Sequence, residues 1–183
     1  MTFLDTEPAA AAAEAPNFER AFALRPEVFD AWNQLCDAVA GGMELRRYEL
    51  VTLAAARRLR SSYCMLAHGS VLLDNELLEP DELRAVATDH RAAGLDDAEV
   101  AAMELAEQVV ADATAVTQAD VDRLRELGLS DTDIFDVVVT AALRCFFSKT
   151  LDALGVLPDA SYATRFEPAL RDALTVGRPI AGR

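Results

Sequence analysis

Across residues 26–174 the apolar side chains recur every three or four positions, and no segment alternates with period two over the length of a strand. A chain patterned this way buries stripes on helices, so the expected fold is all-α. The run Val137-Val138-Val139 is β-branched, but it sits inside a longer pattern with Ile134, Phe135, Ala141, Ala142 and Cys145. That length assigns it to a helix. With 183 residues, 52 % of them hydrophobic, the chain is long enough for one domain with a real core.

The punctuation between the stripes places the helices. Pro26 stands in a first-turn position and opens a helix carrying Phe29, Trp32, Leu35, Cys36 and Val39, which Gly41-Gly42 stops. The next covers residues 45–60, with Leu45, Tyr48, Thr52, Leu53, Ala55, Ala56 and Leu59 on its apolar face and Arg46, Arg47, Arg57 and Arg58 outside it. Ser61 or Ser62 caps a helix that runs through His68 to residue 75. Shorter helices are expected over 80–89, 96–111 and 117–127. Ser130 caps a long one over 131–154, closed by Gly155, and a last covers 168–174. Residues 1–16, with Pro8, Pro16 and an alanine run, have nothing large to bury and read as a flexible N-terminal tail; 177–183 reads as a C-terminal tail. The domain is then residues 17–176.

Charge and cysteine usage narrow the partners. Thirty-one acidic residues against 17 basic give a net charge of −14, which repels phosphate backbones and excludes nucleic acid. No apolar run has the length of a membrane span, and the N-terminus, with Asp5 and Glu7, lacks the pattern of a secretory leader. Cys36, Cys64 and Cys145 are few, odd in number and widely spaced. That argues against a disulfide framework and for a reducing, cytoplasmic setting.

The chemistry-bearing stretch is Ser61-Ser62-Tyr63-Cys64-Met65-Leu66-Ala67-His68, with Glu49 fifteen residues before Cys64. With Ser61 as N-cap, Cys64 is the third helical residue, where the positive end of the helix dipole favours a thiolate and Ser61 Oγ is placed to accept a backbone N–H. His68 lies one turn on, on the same face, within reach of the thiol proton directly or through water. Glu49 falls inside the apolar stripe of the preceding helix, where an unpartnered carboxylate is expensive. A helix hairpin through Arg60-Ser61 turns it toward Cys64 and His68, to orient the imidazole or relay a proton. Competing readings are a small core cysteine and a Glu49 paired with an arginine. Cys64, His68 and Glu49 also form a three-ligand metal set, but a structural zinc site wants a fourth ligand, and His90, in Asp89-His90-Arg91, reads as solvated. No metal or other cofactor is expected.

The string Arg47-Tyr48-Glu49-Leu50-Val51, then Ala54-Ala55-Ala56, then Ser62-Tyr63-Cys64-Met65-Leu66-Ala67-His68-Gly69 resembles the AhpD-like / carboxymuconolactone decarboxylase superfamily, and more closely its peroxidase-related branch. That signature is a Glu followed by Cys-x-x-Cys-x-x-x-His, often with Tyr before the second Cys. Gly128-Leu129-Ser130-Asp131 and Leu151-Asp152-Ala153-Leu154-Gly155-Val156 extend the similarity, which covers about residues 26–157 and is sharpest over 47–69. The resemblance implies an AhpD-like helical bundle assembling as a dimer, trimer or hexamer, with cofactor-free peroxidase or disulfide-reductase activity. It makes Cys64 the peroxide-reactive sulfur and His68 and Glu49 the relay pair.

Ser61 stands where the signature has its first cysteine, so SxxC replaces CxxC and the usual disulfide cannot close. The expected cycle uses one cysteine, a hydroperoxide and an external thiol reductant, with Ser61 capping the helix near the sulfur. Cys36 or Cys145 would resolve Cys64 only if folding brings one near, and Cys145, with Leu143 and Phe146 beside it, reads as core. Two alternatives stay open. One is a carboxymuconolactone-decarboxylase-like lyase on a small carboxylate, for which Arg57, Arg58 and Arg60 are available, although a solvated helix face explains those arginines more simply. The other is a non-catalytic oligomeric redox sensor.

Overall fold

The structure, a computed structural model, describes residues 2–4 and 15–182. Most of the expected N-terminal tail therefore lies outside the described residues. Ten α-helices follow one another, with no strand among the described residues: α1 (Asn17–Phe22), α2 (Pro26–Ala40), α3 (Leu45–Leu59), α4 (Ser62–Asp74), α5 (Pro80–Asp89), α6 (Asp97–Asp112), α7 (Gln118–Glu126), α8 (Asp131–Ala153), α9 (Tyr162–Arg165) and α10 (Pro168–Leu174). The fold is an all-α bundle, as the periodicity requires.

Helix α3 is its axis. Helices α4, α6 and α8 pack around it, so that Leu50, Val51, Leu53, Ala54, Ala55 and Ala56 are all buried. Three consecutive alanines let these helices approach closely, and they widen the single stripe read from the sequence into burial on nearly every side. The arginines at the two ends of α3 leave the core to meet acids on its neighbours: Arg46 with Glu99 at 2.5 Å, Arg47 with Asp133 at 2.8 Å and Arg57 with Glu107 at 3.5 Å. Capping boxes at Asp96/Glu99, Thr117/Asp120 and Ser130/Asp133 start α6, α7 and α8.

The turn from α3 to α4 positions the site. Arg60 takes a left-handed conformation, φ 57°, and the Ser61 amide donates to the Ala56 carbonyl at 2.9 Å. The chain reverses within two residues, and α4 lies back along α3. Gly177 packs so tightly over this corner that a Cβ would run into the Arg60 carbonyl oxygen, and its amide donates to Ser62 Oγ at 2.8 Å. The segment read as a C-terminal tail is thus hydrogen-bonded to the start of α4.

Three sequence expectations are corrected. Helix α2 forms where expected, but it buries only Cys36 and Val39, and Leu35 is 49 % exposed, because α2 packs chiefly on α8 and α1. Helix α1 has no counterpart in the sequence pattern. Its Phe18 and Phe22 pack on Phe29 and Phe147, and Asp159 accepts the Asn17 amide at 2.9 Å. Six residues are too few to show a period, and these partners lie far away in sequence.

The third correction is His90, which is not solvated: it is 0 % exposed, and neither ring nitrogen has a hydrogen-bond partner. Its Nδ1 stands 3.8 Å from Glu107. Burial pushes the imidazole below its usual 6.5, against the pull of Glu107 and with the help of Arg91 and Arg57. A depressed folded value means that the unfolded chain binds the proton first as pH falls. The His90 contribution to stability is therefore full above about pH 6.5 and is lost as pH falls below it. Urea midpoints measured between pH 7.5 and 5 are expected to fall, and to fall less steeply in a His90→Phe variant.

Candidate functional site

Two turns of α3, the first two turns of α4 and the middle of α8 meet beside α2. Glu49, 3 % exposed, receives His68 Nδ1 on its Oε2 at 2.6 Å. On the other side of the ring, Arg144 Nη1 stands 2.9 Å from His68 Nε2. A guanidinium only donates, so Nε2 is the acceptor and the proton of the neutral ring sits on Nδ1, pointing at Glu49. The order is carboxylate, imidazole, guanidinium, and it fixes both the ring's orientation and its tautomer.

Cys64 is the third residue of α4, as expected, and 1 % exposed. Its Sγ lies 3.2 Å from Ser148 Oγ on α8. The thiol is thus partnered by a hydroxyl, and His68 makes its two hydrogen bonds elsewhere. The direct Cys64–His68 hydrogen bond that the i, i+4 spacing allows is not made, because Arg144 occupies the only lone pair on the ring. Ser61 is the N-cap residue of α4, but its side chain accepts no backbone amide, and its Oγ is buried without a partner. The capping role expected of it is corrected: with ψ at 95°, the residue leaves the hydroxyl away from the amides of the first turn.

Cys64, His68, Arg144, Cys36 and Tyr48 all line one cavity of about 240 Å³, walled by Phe18, Phe29, Trp32, Tyr63 and Phe147. Arg144 Nη2 donates to Cys36 Sγ at 3.3 Å. The Arg144 guanidinium also lies over the Trp32 and Phe147 rings, 5.0 and 5.9 Å from their centroids. Burial pushes the Tyr48 hydroxyl up to about 12, so it is a neutral donor in this setting. Cys145 is half-buried and does not line the cavity, which corrects its reading as core. Nor do Arg57, Arg58 and Arg60: Arg57 reaches Glu107 and the Thr88 carbonyl, and Arg60 the Val176 carbonyl. No group of three or more His, Cys, Asp or Glu side chains among the described residues is arranged to hold a metal ion.

The sequence reading passes over Arg144 and Ser148. Both lie on the buried face of α8, in step with Thr140, Ala141, Phe147 and Leu151. An arginine and a serine in such a stripe carry the same signal that singles out Glu49 in α3.

Known proteins share this architecture. The carboxymuconolactone decarboxylase family matches over residues 26–108, which include Glu49, Cys64 and His68. No curated protein matches the chain. Among solved structures, the alkylhydroperoxidase AhpD core, peroxidase-related protein from Ralstonia eutropha JMP134 is 26 % identical with a TM-score of 0.74, covering 83 % of each chain. A peroxidase-related protein from Silicibacter sp. TM1040 shares the fold at TM-score 0.78 and 22 % identity, covering 91 % of this chain and 96 % of that one. The debrominase Bmp8, solved in complex with 2,3,4-tribromopyrrole, also shares it, at TM-score 0.69 and 14 % identity over 87 % of this chain and 81 % of its own. The family match over the site and the common helical architecture together support an AhpD-like / carboxymuconolactone decarboxylase assignment for the chain.

Proposed function

We propose that the protein reduces a hydroperoxide at Cys64 and is returned to its thiol form by an external thiol. The observation that carries this reading is a sulfur at the first turn of a helix, facing an aromatic-walled cavity that also holds a carboxylate-oriented imidazole.

In the step itself the Cys64 sulfur bonds to the terminal peroxide oxygen while the O–O bond breaks. The thiol becomes a sulfenic acid, the peroxide an alcohol, and the thiol proton ends on the leaving alkoxide. Ser148 Oγ, 3.2 Å from the sulfur, is its hydrogen-bond partner and can accept from the thiol or donate to the sulfur as the proton leaves. For His68 to take it, Nε2 exchanges Arg144 Nη1 for the thiol, or for a water between them, while Glu49 holds the opposite nitrogen. Two equivalents of external thiol then convert the sulfenic acid to thiol and water and leave as a disulfide. Ser61 supplies no sulfur to this cycle.

The reading carries with it an assembly of copies, supported by the exposed Leu24, Leu35, Phe135 and Phe146, and a reducing cytoplasmic setting, supported by three free cysteines. A single-chain mass in solution contradicts the assembly.

A test without turnover is to expose the protein to one equivalent of organic hydroperoxide in the absence of reductant and trap sulfenic acid with dimedone. Peptide mapping is expected to find the adduct on Cys64 and not on the more exposed Cys145. Equal, slow labelling of all three cysteines contradicts the reading.

A further inference from the structure

Arg144 is a buried cation that no carboxylate touches, and Glu49 compensates it only from across the His68 ring. The residue is 2 % exposed, and none of the ion pairs formed among the described residues includes it. Of its five N–H donors, one meets His68 Nε2 and one meets Cys36 Sγ. Both acceptors are uncharged: the imidazole has its proton on Nδ1, and burial pushes the Cys36 thiol up in spite of Arg144, which favours its protonated form. The Glu49 carboxylate stands behind the imidazole and acts on Arg144 only through it. The Arg144 Nε–H has no acceptor at all. A guanidinium taken out of water and left in this state is costly, and an anion brought to it recovers that cost.

The cavity that Arg144 lines says what kind of anion. Its walls are Phe18, Phe29, Trp32 and Phe147, which suit a planar apolar body and not a bare inorganic ion. Its volume, about 240 Å³, lies below the roughly 300–1,000 Å³ of sites for drug-sized ligands, so the body is about one ring. The planar fork of a guanidinium matches two oxygens of a carboxylate.

We infer that this cavity binds a small aromatic carboxylate, its head group on Arg144 and its ring among Phe18, Phe29 and Trp32, beside the Cys64 sulfur. The inference names the ligand class for the site described above and rests on that reading only in taking the cavity as the place where substrate enters. A hydroperoxide carrying such a group would be held with its O–O bond near Sγ, and a plain aryl carboxylate would compete with it.

Trp32 is the chain's only tryptophan and lies 5.0 Å from the Arg144 guanidinium, so its emission reports this site without any labelling or turnover. The probes are benzoate and its neutral isostere benzamide, each titrated into the wild-type protein without peroxide. Benzoate is expected to change Trp32 emission saturably and to bind at least about tenfold more tightly than benzamide, a ratio typical of one charge-assisted pair. Arg144→Lys is expected to narrow that preference and Arg144→Met to abolish it, while Cys145→Ser, outside the cavity, leaves it intact. Equal affinities for the two probes, or no saturable response to benzoate, overturn the inference, and this comparison needs only the wild-type chain. Failure of peroxide reduction with the benzoate preference intact counts against the proposed reaction alone. Peroxide reduction with no benzoate preference counts against the carboxylate site alone.

Discussion

A Glu49→Gln variant is expected to lose about 3–5 kcal/mol of stability, the usual cost of removing one partner from a buried charged arrangement. The side chain is 3 % exposed and bonded at 2.6 Å to His68, whose other nitrogen takes Arg144. Glutamine keeps the shape but removes the carboxylate behind Arg144, and its amide offers His68 a weaker acceptor. With a denaturant slope of about 2 kcal/mol/M, the urea midpoint falls by roughly 2 M. The charges act as a unit, so the effects do not add. Adding Arg144→Met to Glu49→Gln is expected to cost much less than Arg144→Met alone, since the cation left uncompensated by the first change is then gone. Additive losses in the four-variant cycle would mean that the two charges are independent of each other.

This coupling also explains what the sequence could and could not say. Glu49 is conspicuous because it breaks an apolar stripe, and the short left-handed corner at Arg60 is enough to bring it to His68 one helix later. Helix boundaries are legible for the same local reason. Pro80 and Pro168 at first turns, Ser130 with Asp133 as a capping box, and Gly155 after the last turn of α8 each act within a few residues of themselves.

What is hidden depends on packing between distant segments. His90 sits among polar neighbours in sequence, yet α6 closes over it. Helix α1 is held by residues about 140 positions away. Arg144 looks like one more surface arginine until α8 lays its buried face against α3, and its capture of His68 Nε2 is what redirects the Cys64 thiol to Ser148. Spacing on one helix shows that Cys64 and His68 share a face. Which of their neighbours each one bonds to is decided by a helix some 80 residues later.

The second large effect is chemical. Cys64→Ser replaces sulfur with oxygen in a site where the side chain is fully buried and its one polar partner, Ser148 Oγ, accepts from or donates to either atom. The fold is expected to hold, while the hydroxyl at that position has neither the acidity nor the nucleophilicity of the thiol. Cys145, outside the cavity, is expected to be replaceable by Ser without effect on the rate. The direct measurement is the initial rate of organic hydroperoxide consumption with a small thiol as reductant, for the wild type, Cys145→Ser and Cys64→Ser at equal protein concentration. The account predicts a wild-type rate in the first two and a fall of about a thousandfold or more in the third, to the rate of peroxide and thiol alone. A Cys64→Ser rate within a few-fold of wild type would contradict it.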